Sequence, residues 1–230
     1  MVSEAIILGG GASIKEGLSL NLQNKIKNKL VIGCNFAFNH FEVTLTCFGD
    51  YDFYIGKLLN DDIINPEHVQ KLKNLPLIVG ILPNGEKYEQ YSNTVFLKRG
   101  DSFNLDIKKG WYRASLTGIL AISLAGYLLD WNGKIFLCGF DWTKKGESHY
   151  YSKDEINHRG QDNISYYQSH NPNAYFGCFT TIPTIKIYNV NLNSSISNFQ
   201  KITYSQMFHL LNQNIYHQDN LRQFIKEKLQ

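Results

Sequence analysis

Short apolar runs recur along the chain, and each has about the length of one β-strand. They are AIIL (5–8), KLVIGCNFAF (29–38), VTLTCFG (43–49), PLIVGIL (76–82), KIFLCGFDW (134–142) and TIKIYNVN (184–191). Several of these runs are apolar at successive positions, which is typical of strands that are buried on both faces. Because helical patterns lie between them, we predict one α/β domain over 1–230, with a mostly parallel sheet and helices on both faces.

The clearest helical pattern is SLTGILAISLAGYLLD (115–130), in which small and apolar residues recur at helical spacing. Shorter helices are predicted over 13–26, after the third strand up to residue 59, and at the C-terminus. Two polar and aromatic segments, 83–110 and 144–176, fit neither pattern. We predict that they form a lid, an insertion or active-site loops of the same domain.

Charge and hydropathy exclude several classes of protein. The 230 residues carry a formal net charge of +3 with no block of like charges, which gives no support for binding to nucleic acid. No window of about 18 uninterrupted apolar residues is present, so the sequence predicts no transmembrane span. The start MVSEAIILGGG does not have the pattern of a signal peptide.

The four cysteines, Cys34, Cys47, Cys138 and Cys178, form no CxxC pair. This pattern indicates free thiols in a reducing compartment, and we predict a cytoplasmic protein. The basic and apolar C-terminal segment leaves peripheral contact with the inner membrane open. The sequence does not decide whether the chain forms a homo-oligomer.

The first apolar run ends in three glycines, in the stretch IILGGGASI (6–14). Glycines let the backbone approach another group closely, and the amides that follow such a turn can bind a phosphate. The stretch has neither the GxGxxG spacing of dinucleotide sites nor the GK[ST] of a P-loop. Gly9 and Gly11 are predicted to line a ligand site, although a tight turn explains them as well. Ser13 either caps the next helix or bonds the ligand.

Four segments, in order, resemble the bacterial sialyltransferases of glycosyltransferase family 42. They are IILGGGASIKEG, then IGCNFAF, then SLTGILAISLAGY with KIFLCGFDW, and finally DNISYYQSH with TIKIYNVNLNSS. The same segments resemble uncharacterised phage and bacterial proteins with this core, and more distantly the pterin diphosphokinase-like domains. The resemblance implies a single Rossmann-like domain with a lid. It also implies that a CMP-sugar binds at the carboxyl ends of the strands, where open parallel sheets bind their ligands.

The resemblance implies a set of residues that bind the donor nucleotide, and each has a second explanation. Asn35 and Asp50 follow apolar strands, where an Asn serves a turn or a ligand and an Asp can cap a helix. Thr117 and Gly118 match a hydroxyl-glycine pair at a helix start, which suits a phosphate but also simple capping. Asp141 either contacts the substrate or ties down a loop. The full predicted set is Gly9, Gly11, Ser13, Asn35, Asp50, Ser115, Thr117, Gly118, Gly139, Asp141 and Trp142.

The resemblance also places the catalytic groups. His170 matches the family's histidine, which acts as a general base on the acceptor hydroxyl, although a histidine in such a polar loop can also be a surface residue. The family holds the leaving phosphate with two tyrosines, and their nearest counterparts here are Thr143 and His149. His158 competes with His170 for the role of base. The leading hypothesis is therefore an inverting glycosyltransferase that uses a nucleotide-sugar, with a CMP-sugar favoured, and a saccharide or other hydroxyl acceptor, and that requires no cofactor.

Two alternatives stay open. The stretch GDYD places Asp50 and Asp52 at metal-ligand spacing, which is compatible with Mg²⁺- or Mn²⁺-dependent transfer of a diphosphate, a nucleotidyl group or a sugar from a UDP-sugar. The absence of the two tyrosines is compatible with a nucleotide-binding protein that has no turnover. A zinc site built from the histidines has no recognisable spacing to support it.

Overall fold

The computed structural model describes most of the chain. The described residues are 2–49, 74–82, 93–98, 100, 103–109, 116–142, 150 and 169–230.

Eight strands of the described residues form one sheet in which every neighbouring pair is parallel. They are β1 (Glu4–Leu8), β2 (Val31–Cys34), β3 (Leu45–Phe48), β4 (Ile78–Leu82), β5 (Thr94–Lys98), β6 (Gly133–Cys138), β7 (Ile185–Asn189) and β8 (Gln200–Lys201). Their order across the sheet is β5-β4-β3-β2-β1-β6-β7-β8. The prediction of an α/β, Rossmann-like fold with a parallel sheet is confirmed.

Six α-helices of the described residues accompany the sheet. They are α1 (Ile14–Ser19), α2 (Leu22–Ile26), α3 (Thr117–Leu128), α4 (Pro172–Phe176), α5 (Tyr204–Leu210) and α6 (Gln218–Leu229). Three short 3-10 helices, Asn35–Asn39, Ile107–Lys109 and Gly177–Thr181, lie in the connections.

Both faces of the sheet are buried under these helices. In β1, Ala5 and Ile7 belong to one hydrophobic cluster, whereas Ile6 and Leu8 belong to the other. This alternation is expected because successive side chains of a strand point to opposite faces. Residues of α3, α4 and α6 cover the first face, and residues of α1, α2 and α5 cover the second.

The strand order reverses at β1. From β1 the chain continues to β2 on one side of the sheet, and it later returns to β6 on the other side. The two central strands end together, because Leu8 is the register partner of Cys138. Open α/β sheets bind their ligands outside the carboxyl ends of the strands at such a reversal.

The structure contains two edge strands that the sequence patterns do not predict. The strand β5 lies inside the irregular segment 83–110, and β8 consists of two residues that pair with Tyr188 and Asn189 of β7. Much of 83–110 and 144–176, and the helix expected after the third strand, lie outside the described residues. The lid therefore stays a prediction.

All four cysteines are free. Cys34, Cys47 and Cys138 are buried and Cys178 is half-buried, as expected for thiols that pack as small apolar side chains. Among the helices of the described residues, none is long and apolar enough to cross a membrane.

Candidate functional site

The candidate site lies at the carboxyl edge of the sheet, at the ends of β1 and β6. In a parallel sheet every strand ends at the same edge, so Gly9, Asn35, Gly49 and Gly139 all directly follow strands at this edge. Two loops meet there: 9–13 after β1 and 139–142 after β6. Gly9 N–H donates to the carbonyl of Cys138 at 2.8 Å, and Gly11 N–H donates to the carbonyl of Gly139 at 2.9 Å.

Asp141 fastens the loop after β1 to the loop after β6. Its carboxylate accepts a hydrogen bond from Ser13 N–H at 2.8 Å and another from the Ser13 hydroxyl. The Asp141 side chain is buried, so these bonds form away from bulk water. Asp141 therefore ties down a loop, which is the second of the two roles that its sequence position allows.

A turn after β7 supports Asp141 from the opposite side. Asn191 Nδ2 donates to Asp141 Oδ1 at 2.9 Å, and Ser195 N–H donates to the Asp141 carbonyl at 3.0 Å. The neighbouring carbonyl of Phe140 accepts hydrogen bonds from Asn189 Nδ2 at 3.0 Å and from the Ser194 hydroxyl at 2.7 Å. The turn 189–195 thus holds Phe140 and Asp141, which follow β6, in place.

Asn35 and Thr117 join the ends of β2 and β3 to the start of α3. The Thr117 hydroxyl lies 3.2 Å from Asn35 Oδ1 and donates to it, while it accepts from Gly49 N–H at 3.1 Å. The structure therefore brings together two of the predicted donor-binding residues that are 82 positions apart in the sequence. Neither side chain of this pair caps the helix in the usual way.

Two of the predicted glycines are needed because protein atoms come very close. A Cβ added at Gly11 would lie 2.6 Å from Asp141 Oδ2, and a Cβ added at Gly118 would lie 2.7 Å from Phe140 Cε1. A side chain at either position would displace Asp141 or the ring of Phe140. These contacts explain the two glycines by packing, and only their backbone atoms remain for a ligand.

Three residues at this edge have a left-handed backbone conformation. The φ angles are +49° at Asn35, +74° at Gly139 and +47° at Trp142. Glycine adopts this region freely and asparagine tolerates it, but a bulky side chain such as that of tryptophan is strained there by roughly 1–2 kcal/mol. Backbone strain of this kind concentrates at functional sites, and here it marks the end of β6.

His170 is connected to the same edge by aromatic side chains. The ring centroid of Trp142 lies 5.6 Å from that of Tyr175, which lies 6.2 Å from that of His170. His170 Nδ1 lies 2.9 Å from the Ser169 hydroxyl, so this ring nitrogen forms a hydrogen bond with its sequence neighbour. The His170 side chain is half-buried. These contacts connect the His170 imidazole to the end of β6 through Tyr175.

Among the polar groups at this edge that have no partner in the described part of the chain, three are donors close to the strand ends. They are the N–H groups of Gly10 and Ala12, in the loop after β1, and the side-chain Nδ2 of Asn35. All three residues are half-buried rather than fully enclosed. Hydrogen-bond donors left over in a glycine loop suit an anion such as a phosphate.

Two neutral groups lie beneath the loop after β1. Burial raises the pKa of the Tyr204 hydroxyl and that of the Cys138 thiol well above their usual ranges. Both therefore stay protonated at neutral pH. The carboxylate of Asp141 adds to the rise of both pKa values, and that of Glu16 adds to the rise for Tyr204. Tyr204 also packs closely against α1, because a Cβ added at Gly17 would lie 2.5 Å from its ring.

Several predicted site residues lie outside the described residues. They are Asp50, Asp52, Ser115, Thr143, His149 and His158. Within the part of the chain that the structure describes, no group of three or more His, Cys, Asp or Glu side chains could hold a metal ion. The roles predicted for these six residues, including the metal site at Asp50 and Asp52, stay predictions.

The sequence analysis gave no site role to Tyr150, to Tyr175 or to the turn 189–195, although that turn belongs to the fourth segment of the resemblance. Tyr150 N–H donates to the carbonyl of Gly10 at 3.0 Å, and Tyr150 packs edge-on against His40 at 5.2 Å. The stretch NVNLNSS could have indicated this turn, because Asn189 and Asn191 lie at the end of an apolar run, as Asn35 does. No local pattern marks either tyrosine, since their contacts depend on the tertiary fold.

Comparisons of the chain with protein-family models, with curated proteins and with solved structures found no match. The resemblance to the family 42 sialyltransferases rests on the four segments alone and stays a prediction.

Proposed function

We propose that the protein is a glycosyltransferase that transfers a sugar from a nucleotide-sugar, with a CMP-sugar favoured, to a hydroxyl of a saccharide or other acceptor. The proposal is carried by unused hydrogen-bond donors after β1 and β2, together with a histidine that aromatic side chains connect to the end of β6. The donors are Gly10 N–H, Ala12 N–H and Asn35 Nδ2, and the histidine is His170.

The donors suit the phosphate of a nucleotide. Ser13 gives both of its donors to Asp141, so neither of them is available to a ligand. A phosphate at this edge would be held by the Gly10 and Ala12 amides and by Asn35, while Ser13 keeps the loop in shape. Such contacts need no divalent cation.

His170 supplies the base. When Nδ1 carries the proton and donates to the Ser169 hydroxyl, Nε2 is the atom that accepts a proton. The acceptor hydroxyl transfers its proton to Nε2 as its oxygen forms the new bond to the anomeric carbon. The bond from that carbon to the phosphate oxygen breaks, and the nucleoside monophosphate leaves with the electron pair. Amide donors at the phosphate stabilise the charge that develops there.

Ligand binding is tested with a thermal-shift panel of CMP, UDP, GDP, ATP and their sugar conjugates, with and without Mg²⁺. A nucleotide at about a hundredfold excess over its Kd stabilises the folded state by roughly 2.7 kcal/mol, which gives a clear shift. We expect CMP and a CMP-sugar to stabilise the protein in the absence of Mg²⁺. Stabilisation that requires Mg²⁺ would instead favour the metal-dependent transfer at Asp50 and Asp52.

The role of Asn35 is tested with Asn35→Gly. Glycine keeps the left-handed backbone at this position, so the substitution removes the side-chain amide without adding strain. We expect CMP to bind about tenfold more weakly, because a hydrogen bond of this kind contributes roughly 1 kcal/mol or more. Unchanged affinity would exclude Asn35 as a nucleotide ligand.

The role of His170 is tested with His170→Ala, with His209→Ala as the matched control because His209 is exposed on α5, outside the site. We expect His170→Ala to lower the rate of sugar transfer by about 10²-fold or more while CMP still binds. The control should retain full activity. Undiminished transfer by His170→Ala would contradict the proposed mechanism, and nucleotide binding without any turnover in the wild type would indicate a non-catalytic binding protein.

A further inference from the structure

The turn 189–195 forms a chain of hydrogen bonds that reaches the loop after β1. Asn191 Oδ1 accepts from Asn193 N–H at 2.8 Å, which fixes the orientation of the side-chain amide. Asn191 Nδ2 then donates to Asp141 Oδ1 at 2.9 Å. Asp141 in turn accepts both donors of Ser13. Three segments that are far apart in the sequence are thus linked through one buried carboxylate.

The position of the Asp141 carboxylate determines which hydrogen-bond donors of the loop 9–13 have an acceptor. While Asp141 is held by Asn191, it accepts the N–H and the hydroxyl of Ser13, and the N–H groups of Gly10 and Ala12 are the ones left over. If Asp141 turned away, Ser13 would lose both acceptors, and the loop would lose its attachment to the end of β6. A carboxylate released from these donors would also repel a phosphate bound near the loop.

We propose that Asn191 is a positioning residue of the phosphate-binding loop: it orients Asp141, which holds Ser13 and thereby keeps the loop 9–13 in the form that binds a nucleotide phosphate. Asn191 acts through Asp141 and does not itself contact the ligand. The part of this inference that concerns the ligand rests on the proposed function. The part that concerns the loop does not.

Hydrogen bonds hold both ends of the Asn191 side-chain amide. Its Oδ1 accepts from a backbone N–H and its Nδ2 donates to the carboxylate, so replacing the amide with a carboxylate would place two acceptors against each other. Among the described residues, Cys138 and Tyr204 are titratable groups that interact with Asp141, and both stay neutral at neutral pH because burial raises their pKa values. They offer no charge to compensate a second carboxylate.

The test compares Asn191→Asp with Asn193→Asp in the full chain at pH 7.5. Both substitutions add one negative charge to the same turn, but the Asn193 side chain is exposed and only its backbone N–H takes part in the turn. Amide hydrogen exchange is measured at Ser13, and the Kd of CMP is measured by calorimetry. Asn191→Ala, which removes the donor without adding charge, serves if Asn191→Asp does not fold.

We expect Asn191→Asp to accelerate exchange of the Ser13 amide by about tenfold or more and to weaken CMP binding by a similar factor, as loss of a hydrogen bond to a charged group implies. Asn193→Asp should change both quantities less than about twofold. Equal effects of the two substitutions would overturn the inference. If the wild type does not bind CMP, the proposed function fails, and exchange at Ser13 still decides whether Asn191 positions the loop.

Discussion

The Asp141 carboxylate has three donors around it: Ser13 N–H, the Ser13 hydroxyl and Asn191 Nδ2. An ionised carboxylate only accepts hydrogen bonds, so it matches three donors at once. An amide at the same place would turn its own N–H groups toward one of them. Because the side chain is only 8% exposed, water cannot readily replace a lost partner. The negative charge of Asp141 is therefore needed for the shape of the loop.

The substitution Asp141→Asn tests this requirement. We expect it to lower the free energy of unfolding by about 2 kcal/mol, because hydrogen bonds to a charged group contribute roughly 1.5–3 kcal/mol each. The matched control is Asp219→Asn, whose side chain is 81% exposed and pairs with Arg222, and which should cost less than about 1 kcal/mol. Urea unfolding measures both. Equal losses would show that Asp141 does not hold the loop through its charge.

Cys178 differs from the other cysteines in exposure. It is half-buried, whereas Cys34, Cys47 and Cys138 lie inside the two hydrophobic clusters. Burial raises the pKa of the Cys178 thiol, so it should react more slowly than a free thiol, but it remains within reach of a reagent.

We therefore expect one of the four thiols to react with a chromogenic disulfide reagent in the native protein at pH 8, and all four to react after denaturation. Mass spectrometry of the labelled peptides identifies the site. The substitution Cys178→Ser should abolish the native reaction. Rapid labelling of Cys138 or Cys47 in the native state would contradict the burial of these strands.

At the scale of elements, a buried ion pair attaches the C-terminal helices to the sheet. Lys29, just before β2, lies 3.5 Å from the carboxylate of Glu4 at the start of β1, and both side chains are buried. Lys29 Nζ also donates to the carbonyls of Asn212 and Asn214, at 2.5 and 2.6 Å, in the connection between α5 and α6. Asn212 N–H donates to Glu4 at 3.0 Å. The amino ends of β1 and β2 are thus fixed by contacts with the connection between α5 and α6.

The substitution Lys29→Met leaves the Glu4 carboxylate buried without its cation. We expect a loss of about 3–5 kcal/mol in the free energy of unfolding, because an uncompensated buried charge is costly. The double variant Glu4→Gln, Lys29→Met should lose less than the sum of the two single variants. Lys186→Met, at an exposed position of β7, is the control and should change stability by less than about 0.5 kcal/mol. Additive losses in the pair would contradict their coupling.

Periodicity predicts which elements exist, but it does not predict how their ends bond. The apolar runs predict β1, β2, β6 and β7, and parallel strands bring Asn35 and Asp141 to one edge without further information. The bond between Ser13 and Asp141 could not be predicted, because it joins residues 128 positions apart and depends on the approach of two loops. The two-residue strand β8 exists only through its pairing with β7. Such a strand has no pattern of its own.

At the scale of the whole molecule, one continuous sheet separates two hydrophobic clusters, and buried thiols lie on both sides of it. Cys34 and Cys47 are register partners on β2 and β3 and belong to the first face. Cys138, at the end of β6, belongs to the second face and lies 3.7 Å from the sulfur of Met207. These thiols ionise freely only when the sheet comes apart. Their ionisation is therefore linked to unfolding of the entire domain.

This linkage predicts a loss of stability in alkali. The contact with Cys34 and burial raise the pKa of Cys47, and burial raises that of Cys138, above the value of about 8.5 that an unfolded chain has. Above this pH the unfolded state releases thiol protons that the folded state retains. The free energy of unfolding is therefore at its full value below pH 8.5 and declines above it. Each such thiol should cost about 1.4 kcal/mol at pH 9.5. Urea unfolding at pH 7.5 and pH 9.5 measures the decline. The variant Cys138→Ala should be less stable than the wild type at both pH values, because the packing of the thiol is lost. Its free energy of unfolding should fall less between pH 7.5 and pH 9.5 than that of the wild type. An equal fall would show that Cys138 ionises without unfolding.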